Sequence, residues 1–201
     1  MLELCSETPI GWARRVSREP LALLIDHAHC ELGAAASAQA LLRRQAGRGH
    51  PGNGALSDRL AALAVEELVH FRQVLGIIEA WPGSFDEIKP SPYVAGLNHG
   101  AGQRSQGTPF LDRLLIAGLI ELRSLERFEL LALHAEEPRL RNLYAELAPS
   151  ERGHARLFER LAREYFEDEV VDRRAGELAQ LEAELLAGLP AEPRMHSGPG
   201  D

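Results

Sequence analysis

Two Glu-x-x-His pairs, Glu67/His70 and Glu151/His154, lie on apolar stripes of helical period, and each follows a lone stripe glutamate, Glu31 or Glu121. The intervals are similar, 36 residues from Glu31 to Glu67 and 30 from Glu121 to Glu151, so the sequence reads as one helical hairpin used twice. Within each pair the i, i+3 spacing puts carboxylate and imidazole on the same helix face. Four carboxylates and two imidazoles directed into a four-helix bundle form the donor set of a di-iron or di-manganese carboxylate centre.

The stripes fix the register of these six residues. They are Leu24, Ala28, Glu31, Ala35, Ala38 and Leu42; then Leu60, Leu63, Glu67, His70, Val74 and Ile77. The third is Leu111, Leu114, Gly118, Glu121, Leu125, Phe128 and Ala132; the fourth is Leu140, Leu143, Leu147, Glu151, His154, Phe158, Leu161 and Tyr165. A charged residue at the centre of such a stripe is a patterning error unless something compensates it. An unpaired buried carboxylate costs several kcal/mol, and four of them would overwhelm a typical stability of about 5–15 kcal/mol. Two divalent cations balance four carboxylates, with neutral imidazoles completing the shell. Mixed oxygen and nitrogen donors favour iron or manganese over calcium, and the lack of cysteine in the set disfavours structural zinc. Glu126 is an alternative to Glu121, because Leu119, Leu122, Glu126, Leu130 and Leu133 form a second apolar row. His27, one turn before Glu31, either hydrogen-bonds that ligand or is an ordinary helix-surface or packing histidine. Arg123 and Arg127 either pair with acids around the ligands or balance Glu126 and Glu129. His29, His50, His99 and His134 are expected to face solvent or loops.

The periodicity predicts an all-α, ferritin-like four-helix bundle in a single domain. Residues 1–19 form an irregular or short helical lead-in, residues 20–166 the bundle, residues 172–186 an additional C-terminal helix, and residues 188–201 an irregular tail. The first helix is expected over Pro20–Gln45, with a short Gly47–Gly54 connection. The second starts at a Ser57 cap and ends at Ala80. The third runs from Thr108–Pro109 to His134, and after a turn at Glu136–Pro138 the fourth ends near Phe166 with a kink at Pro149. Trp81–Thr108, with three prolines and five glycines, reads as one long irregular crossover between helices 2 and 3, long enough to traverse a bundle end to end.

No run of apolar residues is long enough to span a bilayer. No basic leader with an apolar core opens the sequence, and two cysteines without metal-type spacing fit a reducing compartment, so the cytoplasm is expected. A net charge of −8 argues against a protein that grips nucleic acid over its whole surface, though it leaves room for local arginine clusters.

With these residues in place, the chain resembles the bacterial MiaE family of tRNA hydroxylases over most of its length. The resemblance rests on Leu24-Ile-Asp-His-Ala-His-Cys-Glu31, Val65-Glu-Glu-Leu-Val-His-Phe71, Leu119-Ile-Glu-Leu-Arg-Ser-Leu-Glu-Arg-Phe128, Ser150-Glu-Arg-Gly-His154 and Arg194-Met-His-Ser-Gly198. It implies an O₂-dependent non-haem di-iron monooxygenase that hydroxylates the isopentenyl group of 2-methylthio-isopentenyladenosine in tRNA. Glu31, Glu67, His70, Glu121, Glu151 and His154 would then be the metal ligands and the seat of catalysis. Two iron ions are the implied cofactor, O₂ the co-substrate, and an electron-transfer protein the external donor. The implied RNA partner is the anticodon loop, with Arg14, Arg15 and Arg18, or Arg43, Arg44 and Arg48, or Arg194 as candidate phosphate contacts. The alternative is a ferritin-like metal-handling protein, a ferroxidase or peroxide scavenger, without an organic substrate.

Overall fold

The computed structural model describes residues 2–45, 53–104 and 109–200. Among the described residues there are seven helices and no strand: α1 (Ile10–Val16), α2 (Pro20–Gln45), α3 (Asn53–Ala80), α4 (Pro92–Arg104), α5 (Pro109–His134), α6 (Pro138–Tyr165) and α7 (Asp168–Ala187). None of them is long and apolar enough to cross a membrane. The chain divides into two compact units, one of residues 21–88 and the other of residues 1–20 and 89–201.

The first unit holds α2 and α3. Leu24, Ala28, Ala35 and Ala38 are buried along α2, and Leu60, Leu63 and Val74 along α3, as their spacing predicts. Helix α3 begins four residues before the expected Ser57, because the earlier turn buries Leu56. After α3 the chain folds back onto the same unit. Phe85 stacks on His29 with centroids 4.6 Å apart and meets Phe71 edge-on at 5.3 Å. His29 therefore belongs to an aromatic cluster, and its Nε2 lies 2.9 Å from the Asp86 carbonyl oxygen.

In the second unit α5 packs chiefly on α6 and also touches α1, α4 and α7. Gly118 permits a close approach: a Cβ there would lie 2.6 Å from Leu2 Cδ2 and 3.3 Å from Phe158 Cβ. Helix α6 starts with Pro138 at its first turn, capped by the Glu137 carboxylate, and continues through Pro149.

Two sequence expectations need correction here. The Trp81–Thr108 crossover is not irregular throughout, since it contains α4. Tyr93, Leu97 and Ala101, four residues apart, form a fully buried stripe, and burying Tyr93 and Leu97 at about 1.5–3 kcal/mol each offsets glycines that cost ~1 kcal/mol apiece. Those glycines are themselves contact residues: a Cβ on Gly96 would meet Leu185 at 2.8 Å, and one on Gly100 would meet Leu181 at 2.7 Å. The final helix also starts four residues earlier than expected. Asp168 and Glu169 favour a helix N-terminus, and Arg163 donates to Asp168 at 2.9 Å and to Asp172 at 2.6 Å. Buried Arg174 then clamps α7 to Asp112 of α5 with bonds of 2.7 and 3.0 Å.

The tail after α7 is irregular, as expected, yet it is tightly held. Met195, His196 and Ser197 are buried. Gly198 has no room for a side chain, because a Cβ would sit 2.0 Å from the Leu189 carbonyl oxygen.

Candidate metal centre

On α2 and α3, Glu31, Glu67 and His70 are all buried, and each offers a ligand atom within 4.8 Å of the others. His70 Nδ1 lies 3.6 Å from Glu31 Oε2 and 3.6 Å from Glu67 Oε2. These separations are too long for hydrogen bonds, while nitrogen and oxygen atoms so spaced can ligate a common cation. His27 Nε2 stands 2.5 Å from Glu31 Oε1, the hydrogen-bonded one of its two expected arrangements, and fixes the orientation of that carboxylate.

The electrostatics of this cluster show a demand for positive charge. Burial pushes the Glu31 carboxyl up, but His27, His70 and Glu67 outweigh it and hold Glu31 well below the usual carboxylate range. Burial opposes charge on His70, yet attraction to the Glu31 and Glu67 carboxylates outweighs it and raises its pKa to about 10. The donor set, carboxylates and imidazoles without thiolates, suits iron or manganese.

The second unit carries a matching cluster on α5 and α6. Glu121, Glu151 and His154 are buried, and a Glu121 oxygen lies within 4.8 Å of a ring nitrogen of His154. His154 Nδ1 is 4.0 Å from Glu151 Oε1, one turn back on the same helix. Glu126, the alternative to Glu121, is engaged elsewhere. It accepts from the Thr8 amide and hydroxyl, both at 2.6 Å, and from Arg123.

Beside Glu121 lies a polar network that sequence reasoning largely missed. Arg123 and Glu182 are both 0% exposed and form a bidentate pair with both bonds at 2.9 Å. Tyr93 donates to Glu182 Oε1 at 2.7 Å, and its hydroxyl pKa is pushed well up, first by burial and then by Glu182. The Tyr93 ring stacks on His196 at 4.6 Å, and His196 Nε2 lies 3.3 Å from Ser124 Oγ. Arg127 turns mainly to the tail, although Glu126 and Glu182 lie near enough to offset part of its charge. It donates to the carbonyls of Met195 and Ser197 and covers the Trp12 ring at 4.4 Å, while Glu129 pairs with Arg152. Burial and the neighbouring Arg123 lower the Arg127 pKa to about 9. One signal for this network was legible: Glu182 sits four residues after Leu178 on an apolar stripe, the same anomaly that marked the ligands.

The arginines proposed for RNA divide. Arg15 is spent on the Gly198 and Pro199 carbonyls, and Arg194 on the Lys89 carbonyl and Glu192. Arg14, Arg18, Arg43 and Arg44 are exposed, and Arg48 and His50 lie outside the described residues.

Known proteins resemble the chain along most of its length. A family model described as tRNA-(MS[2]IO[6]A)-hydroxylase (MiaE) matches residues 2–197. The tRNA 2-(methylsulfanyl)-N(6)-isopentenyladenosine(37) hydroxylase of Pseudomonas putida is 30% identical over 191 residues, covering 95% of this chain and 90% of that protein. The enzyme of the same name from Salmonella typhimurium is 32% identical over 143 residues, 71% of this chain and 52% of its own length. Among solved structures, protein 43 with aldehyde deformylating oxygenase activity from Synechococcus superposes with a TM-score of 0.85 at 38% identity, covering 96% of this chain and 95% of that one.

Proposed function

Because the chain belongs to the MiaE family, we propose that it hydroxylates the isopentenyl group of 2-methylthio-isopentenyladenosine in tRNA, using two iron ions held by Glu31, Glu67, His70, Glu121, Glu151 and His154. The observation that supports the ligand set is the pair of buried carboxylate–imidazole clusters, each centred on its own helical stripe. When bound, the iron ions supply activation of O₂, which the organic side chains of a protein cannot provide.

The chain's own residues set the conditions for that chemistry. Four carboxylates balance the charge of the cations, and Glu31 is kept ionised and oriented by His27. Burial excludes water from the ligands and keeps the oxidising equivalents off solvent. Inserting one oxygen atom of O₂ into a C–H bond and releasing the other as water consumes two electrons and two protons. The electrons come from an external electron-transfer protein, because the sequence carries no flavin or nicotinamide fingerprint. The substrate base is one splayed out in an anticodon loop, a target open to an acidic protein with local arginines. Arg14 and Arg18, or Arg43 and Arg44, are the exposed candidates for its phosphates. A cytoplasmic location is consistent with a tRNA substrate.

The test is reconstitution with Fe(II), a chemical reductant and O₂ on tRNA bearing the isopentenyl modification, read by nucleoside mass spectrometry. One added oxygen atom, labelled when ¹⁸O₂ is used, is the expected product. A second reading is favoured by the 38% identity to a protein titled with aldehyde deformylating oxygenase activity: the same ligands would then act on an aldehyde. Unchanged tRNA together with loss of the formyl carbon from a supplied long-chain aldehyde would select that reading. Unchanged tRNA with rapid oxidation of iron alone would select the metal-handling alternative.

A further inference from the structure

Three large apolar side chains are exposed together on α3: Val65 at 61%, Leu68 at 40% and Val69 at 46%. Among the described residues, the other exposed large apolar side chains, Ile10, Val94 and Leu133, are scattered over three different helices. Around the α3 cluster the exposed surface continues through Gly54, Asp58, Ala61, Ala62, Arg72 and Gly76. At 100° per residue these nine positions fall within about 60° either side of Val65, a single stripe of the width that partners another helix. A Cβ on Gly54 or Gly76 would meet nothing within 4 Å, so the ends of the stripe are open.

The order of residues along the stripe is symmetric about Val65. Asp58 and Arg72 lie seven residues to either side, Gly54 and Gly76 eleven, and the small pair Ala61/Ala62 mirrors the larger pair Leu68/Val69 at three and four. Reversing the helix therefore exchanges acid for base and small for large. We propose that this face of α3 joins two copies of the chain, antiparallel, about a two-fold axis at Val65. Such an isologous contact requires one patch complementary to itself, and this patch is self-complementary in both charge and size. Asp58 of each copy pairs with Arg72 of the other, and Ala61 and Ala62 receive Leu68 and Val69. The seven-residue repeat Asp58, Val65, Arg72 suits a shallow crossing with interdigitated side chains. An electron-donating protein has no reason to match this internal symmetry, so a second copy is the occupant that the arrangement specifies. The pairing would stiffen the back of the helix that carries Glu67 and His70.

Sedimentation velocity of the full chain over a concentration series is expected to show a monomer–dimer equilibrium. Asp58→Arg places two basic side chains opposite each other at both ends and is expected to raise the dimer dissociation constant about tenfold. Arg72→Asp does the same, and the double exchange D58R/R72D restores the wild-type value. In a Cys5→Ser, Cys30→Ser background, Val65→Cys is expected to cross-link to itself on oxidation, whereas Leu133→Cys does not. Circular dichroism confirms the fold of each variant, since every substituted position on α3 is exposed. A strictly monomeric protein, a dimer indifferent to D58R, or failure of the double exchange to rescue would each overturn the proposal.

Discussion

Glu182→Gln isolates the charge at the centre of the α5 network with almost no change of shape. Arg123, Arg127, Glu126 and Glu182 together are neutral, so the variant leaves one uncompensated positive charge among buried groups. It also replaces one acceptor facing Arg123 with an amide N–H, so two guanidinium bonds of 2.9 Å cannot both persist. Breaking a buried ion pair on one side costs about 3–5 kcal/mol. For a chain of this length each kcal/mol moves the melting temperature by roughly 2–4 °C, so the expected fall is about 6–20 °C. The measurement is thermal and urea unfolding by circular dichroism at low and high salt, and the loss should persist at high salt because the pair is shielded from solvent. Tyr93→Phe alone should cost about 1 kcal/mol, and less in the Glu182→Gln background, since both changes act on one acceptor. A loss for Glu182→Gln below ~1 kcal/mol, or one that disappears with salt, is the behaviour of a surface pair and would refute the reasoning.

Gly153 on α6 is exposed and has open space where a Cβ would go, so Gly153→Ala should stabilise the protein by about 0.5–1 kcal/mol in urea unfolding. Gly198→Ala should do the reverse by at least ~1–3 kcal/mol, because its Cβ would press on the Leu189 backbone, which cannot rotate away. Glu67→Gln should change sign with metal. Calorimetry of the metal-free protein should give an unchanged or higher melting temperature, because a buried carboxylate beside Glu31 is gone, and the Fe(II)-loaded variant should gain less stability than wild type. A variant that Fe(II) stabilises as strongly as wild type would remove Glu67 from the ligand set.

The helices and the burial of Glu31, Glu67, His70, Glu121, Glu151 and His154 were legible because each of these residues breaks an apolar stripe at its centre, and a single sequence shows such a break directly. Helix α4 was hidden by the same residues that make it pack. Gly96 and Gly100 read as helix breakers in isolation, but they are contact points for Leu185 and Leu181 of α7, some eighty residues away. The hydrogen-bond partners of Arg127 were hidden for a similar reason: they are backbone carbonyls of the tail, and no sequence pattern announces a carbonyl. The choice of Glu121 over Glu126 rested on its central register and its spacing to Glu151, and the structure adds a physical cause, since Glu126 is claimed by Thr8 and Arg123. Local periodicity encodes what each helix does for itself. Contacts between residues far apart in the chain do not leave that trace.

The di-iron assignment is tested most directly by anaerobic titration of metal-free protein with ⁵⁷Fe(II), read by Mössbauer spectroscopy after exposure to O₂. The account predicts saturation at two irons per chain and, after oxidation, a diamagnetic signal from two antiferromagnetically coupled ferric ions. Saturation at one iron, or two irons that stay magnetically independent, would contradict a shared centre built from Glu31, Glu67, His70, Glu121, Glu151 and His154.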